Sequence, residues 1–237
     1  MSISANLHIL KQRIREAENK YGRESGSVQL LAVSKYHPVA AIEQALTAGQ
    51  LVFGENYVQE MADKATQLKV SSPDKLPEWH FIGPIQSNKT RQIAEIAGWV
   101  HSVDRLKIAR RLSEQKPEDR DALNICLQVN VSGESSKSGI TPAELPALAE
   151  QVAGLPGIQL RGLMAIPAPE TDFSCQRAVF AQVRALQEGL INRGFTLDTL
   201  SMGMTGDMEA AIAEGATIVR IGTAIFGARE YQEGSVN

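Results

Sequence analysis

Apolar runs that predict strands alternate with helical patterns along this chain of 237 residues, and this alternation is the feature that most constrains its fold. The strands are predicted near Leu30–Tyr36, Val52–Tyr57, Trp79–Ile85, Trp99–Val103, Asn124–Val131, Leu160–Ile166, Thr199–Met204 and Thr217–Ile221. The helices between them are predicted at Ala40–Ala48, Tyr57–Leu68, Ser87–Ile96, Arg105–Glu114, Pro142–Ala153, Cys175–Asn192 and Met208–Ala213. Eight such units predict an α/β fold, a single (β/α)8 TIM-type barrel. An open, doubly wound sheet is the alternative.

The N-terminus predicts one further helix outside this repeating pattern. Apolar residues recur at helical spacing through Met1–Tyr21, at Leu7, Leu10, Ile14 and Ala17. The segment lacks the apolar core of a signal peptide, and no stretch of the chain is apolar over a length that spans a membrane. We therefore expect one domain over residues 1–237, with an additional N-terminal helix, in the cytoplasm.

The composition limits the kinds of ligand and partner that we expect this chain to bind. The chain is 43% hydrophobic and 22% charged, as ordinary soluble globular proteins are, and its net charge of −3 gives no support for a broad basic surface that binds nucleic acid. Its two cysteines, Cys126 and Cys175, make no disulfide framework or metal cluster, and its histidines have no metal-ligand spacing. His80, beside Trp79 on a predicted core strand, is expected to be a hydrogen-bonded core histidine rather than a catalyst.

Lys35 is the residue that most strongly indicates chemistry, because it lies where the first predicted strand ends. The apolar run Leu30–Ser34 precedes it, and Pro38 fits the first turn of the following helix. Burial disfavours the ammonium, lowers its pKa and makes the amine a better nucleophile. Such a lysine forms a Schiff base with an aldehyde, and pyridoxal phosphate is the common biological aldehyde of this kind. The alternative is a lysine that extends from the strand end into solvent.

Polar residues and glycines gather where several predicted strands end, which in a barrel is the face that carries the active site. The ends of the seventh and eighth strands predict a phosphate site. Ser201 and Thr223 supply hydroxyl donors, and Arg220 adds a permanent charge. Gly203, Gly206 and Gly222 let backbone N–H groups approach an anion closely.

Simpler interpretations exist for parts of this pattern. The glycines are also typical of ordinary tight turns, and Arg220 has an alternative role as the cation of an ion pair with Glu209 or Glu214. The run Gly83–Thr90 is similar to the nucleotide-binding loop, but Asn88 stands where that loop needs its second glycine. We therefore expect no nucleotide site there.

Several short segments together resemble the pyridoxal-phosphate homeostasis proteins, a family that shares the barrel of the N-terminal domain of alanine racemase. The matching segments follow in order through nearly the whole chain: Leu31–Lys35, Phe53–Glu60, Trp79–Gly83, Gln86–Lys89, Ser136–Gly139, Arg161–Met164, Leu200–Met204 and Val219–Gly227. The chain departs from the family pattern at Thr205 and Gly206, where we expect a serine and then a residue other than glycine. Thr205 keeps the hydroxyl, whereas Gly206 is expected to loosen the start of the next helix.

This resemblance implies a protein that binds pyridoxal 5′-phosphate as an internal aldimine, a Schiff base on Lys35. It implies that Asn56 lies near the substituents of the pyridine ring, and that Arg220 lies near the cofactor, facing either its phosphate or its ring nitrogen. The other cofactor-binding residues that it implies, chiefly around the phosphate, are Ser201, Met202, Gly222 and Thr223.

The resemblance further implies a role in intracellular vitamin B6 homeostasis, through storage or delivery of the cofactor without efficient catalysis. The expected partners are pyridoxal phosphate and the apo-enzymes that accept it, and the expected state is a monomer. Lys137 follows the fifth predicted strand, and the family suggests a secondary role for it in handling the cofactor. The simpler interpretation of Lys137 is a solvated loop lysine.

An amino-acid racemase that uses the same cofactor is the alternative function. Racemisation removes the α-proton from one face and returns it on the other, so it needs two acid–base groups. Lys35 supplies one, whereas Tyr36 and Tyr57 are candidates for the other only through proximity. Racemases that resemble this barrel take the second group from a tyrosine in a further β-rich domain, which this sequence does not show. We therefore expect a carrier rather than an enzyme.

Overall fold

The computed structural model describes residues 2–132 and 138–227, and its centre is a closed barrel of eight parallel strands. The strands follow chain order around the barrel, and β8 pairs in parallel with β1 to close it. Their bounds are β1 (Gln29–Val33), β2 (Val52–Glu55), β3 (Glu78–Phe81), β4 (Trp99–Val103), β5 (Leu123–Gln128), β6 (Ile158–Met164), β7 (Thr199–Ser201) and β8 (Ile218–Ile221). The predicted TIM-type barrel is confirmed, and the open sheet is wrong because β1 and β8 pair with each other.

A helix follows every strand, and one more helix precedes the first strand. The helices are α1 (Ile3–Lys20), α2 (Val39–Thr47), α3 (Val58–Ser71), α4 (Thr90–Ile96), α5 (Leu106–Gln115), α6 (Leu145–Ala153), α7 (Phe173–Ile191), α8 (Met208–Ala213) and α9 (Thr223–Phe226). In the described parts of the chain, no helix is both long and apolar enough to cross a membrane. The predicted N-terminal helix is confirmed as α1.

The alternation of side chains along each strand separates two apolar layers. In β1, Leu30 and Ala32 belong to the large core between the barrel and its helices. Leu31 and Val33 instead pack with Ile218 in a smaller cluster inside the barrel. The strands are therefore apolar on both faces, which explains why their sequences show continuous apolar runs.

Helix α1 lies in the outer layer of helices that surrounds the barrel. Its apolar face packs on α2, α8 and α9, with Leu7 and Ile14 almost completely buried. Glu18 of the same helix is completely buried and accepts hydrogen bonds from the N–H groups of Gly26 at 3.0 Å and Val28 at 2.8 Å. These bonds satisfy the buried carboxylate and fix the path of the chain into β1.

Several elements are shorter than predicted, β2, β3 and β7 among them, and for two others the structure shows a local reason. β1 ends at Val33 rather than Tyr36, because Tyr36 has a φ of +66°, which a strand does not accommodate. The predicted helix Ser87–Ile96 is a short 3-10 turn followed by α4. There the hydroxyl of Thr90 donates to the carbonyl of Ser87 at 3.0 Å and competes with the backbone for that acceptor.

The start of α6 differs from its prediction by a few residues. The helix begins at Leu145 rather than at Pro142, and the residues before it form a turn. Thr141 and Glu144 still make a reciprocal cap. The N–H of Glu144 donates to Thr141 Oγ1 at 3.3 Å, and the N–H of Thr141 donates to Glu144 Oε2 at 3.1 Å.

We expect Gly162→Ala in β6 to lower the free energy of unfolding by about 1–3 kcal/mol, because no space exists for a side chain there. A Cβ at Gly162 would lie 1.8 Å from the carbonyl oxygen of Thr199 on β7, so the two strands would have to separate. The control is Gly189→Ala in α7, where an added Cβ meets nothing within 4 Å and should stabilise the helix by about 0.5–1 kcal/mol. Urea denaturation measures both, and equal effects would contradict the close approach of β6 and β7.

Candidate functional site

Lys35 lies in a tight turn at the carboxyl end of β1. The N–H of His37 donates to the carbonyl of Ser34 at 3.0 Å and closes a β-turn over residues 34–37, which we call the lysine turn. Tyr36, at the third position, has a φ of +66° and is the only non-glycine residue of the described ranges with a positive φ. Positive φ at the third position alone defines a type II turn. Lys35, at the second position, is half-buried.

A buried ionic cluster lies behind the lysine turn. Lys64 Nζ of α3 donates to Glu55 Oε1 and Glu60 Oε1, both at 2.7 Å. The same ammonium donates to the carbonyl of Ser34 at 2.7 Å, and Ser34 Oγ donates to Glu55 Oε1 at 2.7 Å. Glu55 is completely buried, and this burial raises the pKa of its carboxyl despite the neighbouring lysine. The cluster therefore binds the peptide group that precedes Lys35.

The peptide group that follows Lys35 is bound by the same cluster. The N–H of Tyr36 donates to Glu60 Oε1 at 2.6 Å, and Glu60 in turn accepts from Lys64. The rings of Tyr36 and Tyr57 lie 5.3 Å apart, their hydroxyls are in contact, and each residue is about half exposed. Both flanks of Lys35 are thus attached to β2 and α3.

Asn56 presents a buried acceptor at the carboxyl end of β2. Its Oδ1 is buried and has no hydrogen-bond partner among residues 2–132 and 138–227. The backbone there is held closely by the neighbouring strand end, since a Cβ at Gly83 would lie 2.0 Å from the carbonyl oxygen of Asn56. A buried acceptor without a partner is rare in proteins, and a ligand donor is one group that could satisfy it.

A polar chain of four side chains, Glu78, His80, His101 and Ser201, runs through the barrel interior. His80 Nε2 lies 3.5 Å from Glu78 Oε1, His80 Nδ1 lies 2.9 Å from His101 Nε2, and His101 Nδ1 lies 2.7 Å from Ser201 Oγ. Burial lowers the pKa of both histidines, and contact with His80 lowers the pKa of the Glu78 carboxyl. The prediction that His80 is a hydrogen-bonded core histidine is confirmed.

The carboxylate of Glu78 favours one order of protons along this core polar chain. A carboxylate only accepts, so its approach to 3.5 Å favours a proton on His80 Nε2, although the two atoms do not form a hydrogen bond. His101 then donates from Nε2, and its Nδ1 accepts from the Ser201 hydroxyl. The Glu78 end of the chain is about half exposed, whereas the Ser201 end is completely buried.

Arg220 of β8 lies at the inner end of the core polar chain. Its Nη1 donates to Ser201 Oγ at 2.9 Å, and its Nη2 donates to the carbonyl of Ala165 at 2.8 Å. Burial lowers the pKa of this guanidinium to about 10, which still leaves it charged at neutral pH. Asp207, whose own carboxyl pKa burial raises, interacts with it electrostatically.

The alternative prediction, an ion pair of Arg220 with Glu209 or Glu214, is wrong. Glu209 accepts instead from Lys20 and Tyr21, which belong to α1 and its cap. Glu214 pairs with two exposed arginines of α7, Arg177 and Arg184. Both carboxylates therefore face the outer helices, on the side of the sheet opposite to the barrel interior.

The glycines and Thr223 that were predicted to bind phosphate follow the ends of β7 and β8. Gly203 has a φ of +95°, and a Cβ there would lie 2.6 Å from Ala211 Cβ, so only glycine fits. Gly222 precedes the four-residue helix α9, and Thr223, exposed, is its first residue. Met202 is completely buried in the core between barrel and helices, so its backbone is the part that remains near the strand ends.

The structure brings most of the predicted residues to one end of the barrel. Ala32 pairs with Ile221 across β1 and β8, so the lysine turn and α9 follow adjacent strands. Asn56 and Thr223 belong to this rim, whereas Ser201 and Arg220 lie below it inside the barrel. Ser201 contacts His101 and Arg220 there, and its phosphate contact stays a prediction. The predicted residue Lys137 lies outside the described residues.

Sequence reasoning missed four residues of the buried ionic cluster and of the core polar chain. Glu60 and Lys64 show only the i,i+4 spacing that usually indicates an exposed ion pair on a helix. His101 and Glu78 carry no local signal, because each acquires its role only through contacts between strands.

Comparison with known proteins shows the family to which this chain belongs. The chain matches the family model for the N-terminal domain of alanine racemase over residues 5–230. It is 58% identical, over 230 residues that cover 97% of each chain, to a protein of Pseudomonas aeruginosa named pyridoxal phosphate homeostasis protein.

Two solved structures extend this comparison. PipY of Synechococcus elongatus, solved with PLP bound, is 40% identical, with a TM-score of 0.82 over 95% of this chain and 100% of PipY. Alanine racemase of Corynebacterium glutamicum is 14% identical, with a TM-score of 0.67 over 98% of this chain and 62% of the racemase. The second likeness shows the fold alone.

Acid is expected to destabilise the folded chain below about pH 6.5, the ordinary pKa of histidine, through His80 and His101. Both have lowered pKa values, so the unfolded chain takes up protons that the folded chain does not. The free energy of unfolding should then fall by up to about 1.4 kcal/mol per pH unit for each histidine. Urea denaturation of wild type and His101→Gln across this range measures the slope, and an unchanged slope in the variant would exclude His101 as a source.

Proposed function

Since the chain belongs to the pyridoxal phosphate homeostasis protein family, we propose that it holds pyridoxal 5′-phosphate as a Schiff base on Lys35 and stores or delivers the cofactor in vitamin B6 homeostasis. The observation that carries the proposal is the place of Lys35, half-buried in a turn at the active end of the barrel. The structure of PipY with PLP bound supports it, because PipY shares this fold along nearly its whole length.

Lys35 is the nucleophile in this proposal. Its unprotonated amine adds to the aldehyde carbon, and loss of one water molecule leaves a carbon–nitrogen double bond. Addition of water reverses the step and returns the free amine and the free aldehyde. Neither direction consumes an oxidant or a reductant, so the same residue can both retain and release the cofactor.

Asn56 supports the fit of the cofactor ring. Its buried Oδ1 has no partner in the part of the chain that the structure describes, and a donor on the bound ring would satisfy it. The close approach of Gly83 to the Asn56 backbone holds this acceptor in place. Occupation by a ring donor would remove the cost of an unpaired buried oxygen.

The ends of β7 and β8 support the fit of the phosphate. The first backbone N–H groups of α9, at Thr223 and Ala224, have no carbonyl of their own helix to bond and suit an anion. The hydroxyl of Thr223 adds a donor beside them, and Gly222 leaves the approach open. Arg220, inside the barrel below, adds a fixed positive charge, and we leave open whether it faces the phosphate or the ring nitrogen.

The proposal favours a carrier over a racemase. A racemase needs a second acid–base group, and the candidates Tyr36 and Tyr57 have hydroxyls that contact each other at an exposed rim. The curated relative that covers nearly all of this chain is named for homeostasis, whereas the likeness to a racemase is in fold alone. We extend the proposal to a monomeric cytoplasmic protein whose further partners are apo-enzymes that accept the cofactor.

Pyridoxal phosphate added to the wild-type protein should produce an absorbance band near the visible edge. Borohydride should remove this band, because it reduces the carbon–nitrogen double bond to an amine that keeps the cofactor covalently attached. Lys35→Ala should abolish the band, because it removes the amine that forms the Schiff base. Lys69→Ala is the matched control, since Lys69 is an exposed lysine of α3 and should leave the band unchanged. No band in the wild type would refute the proposed function.

The same protein separates the carrier from the racemase. With the band present, incubation with either alanine enantiomer in heavy water should leave the α-proton of alanine unexchanged, as proton NMR measures. Rapid exchange would favour the racemase instead, because it requires repeated removal and return of that proton.

Thr223→Ala should weaken binding of pyridoxal phosphate by about tenfold and leave binding of phosphate-free pyridoxal almost unchanged. The reason is that a hydrogen bond to a charged group contributes about 1.5–3 kcal/mol, and only the phosphorylated ligand makes it. Absorbance titration with both aldehydes measures the ratio of affinities. An equal loss for both ligands would mean that Thr223 does not contact the phosphate.

A further inference from the structure

The lysine turn adopts a conformation that its own sequence disfavours. A type II turn usually has glycine or asparagine at its third position, because a Cβ crowds the backbone at positive φ. Here that position is Tyr36, with a φ of +66°. A bulky residue keeps such a conformation only where its surroundings hold it. Contacts outside the turn must therefore maintain it.

A relaxed alternative is available to the same four residues. Rotation of the single peptide group between Lys35 and Tyr36 converts a type II turn into a type I turn, in which the third residue has a negative φ that tyrosine accepts. That rotation turns the N–H of Tyr36 away from its present partner. It also reverses the direction of the Lys35 carbonyl beside the site. The turn is therefore an element with two possible states.

The contact that distinguishes the two states is the bond between Tyr36 and Glu60. The N–H of Tyr36 donates to Glu60 Oε1 at 2.6 Å, and a bond to a carboxylate is stronger than one between neutral groups. Lys64 holds that carboxylate at 2.7 Å and also binds the carbonyl of Ser34 at the start of the turn. Glu55 holds Lys64 from the other side at 2.7 Å.

We propose that Glu60 and Lys64 are positioning residues that hold the lysine turn in its type II form, and that this form is the one from which Lys35 captures pyridoxal phosphate. The inference rests on the proposed function and adds how the lysine is prepared for it. A turn that spends part of its time in the type I form binds the aldehyde with an affinity reduced by that fraction. The cluster thus raises the affinity of Lys35 without contacting the ligand.

The test is whether the effect of Glu60→Ala depends on a Cβ at position 36. In the wild-type background, Glu60→Ala should weaken binding of pyridoxal phosphate by about tenfold, since it removes the bond that selects the type II form. In a Tyr36→Ala background the loss should be of similar size, because alanine still has a Cβ. In a Tyr36→Gly background the loss should be less than about twofold, because glycine accepts positive φ without help.

Comparison within each background removes any direct contribution of the tyrosine ring. Glu60→Gln keeps an acceptor oxygen at the same position and should lose only a few-fold in affinity. Gln59→Ala is the matched control on α3, since Gln59 is exposed and bonds only to Asp63 among the described residues. Equal losses from Glu60→Ala in all three backgrounds would overturn the inference and leave only a general structural role for Glu60.

A measurement without cofactor separates this inference from the proposed function. In the cofactor-free protein, Tyr36→Gly should unfold at a higher temperature than Tyr36→Ala, since only glycine relieves the backbone strain. The reverse order would overturn the inference whatever the chain binds. Absence of the borohydride-sensitive band in the wild type would refute the proposed function, and the order of unfolding temperatures would still decide the state of the turn.

Discussion

The parallel pairing of β8 with β1 is the contact on which the site depends. It closes the barrel, so that every strand has a neighbour on both sides, and it sets Leu31 opposite Arg220 and Ala32 opposite Ile221. Because the strands are parallel, the residues that follow both strands emerge at the same end. The lysine turn and the start of α9 therefore become neighbours, although nearly the whole chain separates them. A slip of one residue would turn Arg220 out of the barrel.

The barrel interior holds several polar side chains that bond to one another, although His80 Nε2 has no hydrogen-bond partner among the described residues. Branched apolar side chains commonly fill such barrels, but here a stack of His80 on Trp99, with ring centroids 5.3 Å apart, occupies part of that space. His101 and Ser201 continue the polar path to Arg220. Arg220 bonds to Ser201 Oγ through Nη1 and to the carbonyl of Ala165 through Nη2, and these two bonds hold its side chain beneath the rim.

The sequence predicted the fold well because its signals are local and periodic. Apolar runs and caps located all eight strands and the helices between them. Lys35 stood out because it lies between the first strand and the helix that follows it. What it missed depends on contacts between distant segments. The positive φ of Tyr36 has no sequence signal, since tyrosine does not favour it, and its N–H bonds to Glu60 of a different element. The hydrogen bonds of Arg220 likewise depend on a contact between strands. It donates to Ser201 and does not pair with Glu209 or Glu214, which are nearer to it in sequence.

Two groups of residues bear on different properties of the aldehyde that we propose the site binds. The cluster behind the lysine turn bonds to the backbone on both sides of Lys35, and in our proposal it thereby controls how readily the amine meets the aldehyde. The guanidinium of Arg220 acts on charge: beside a phosphate it raises affinity, and beside a ring nitrogen it opposes protonation of the ring. An unprotonated ring is a poorer electron sink, so the second placement would weaken carbanion chemistry. The first placement would favour retention of the cofactor and the second would disfavour carbanion chemistry, and both are compatible with the proposed store of a reactive aldehyde.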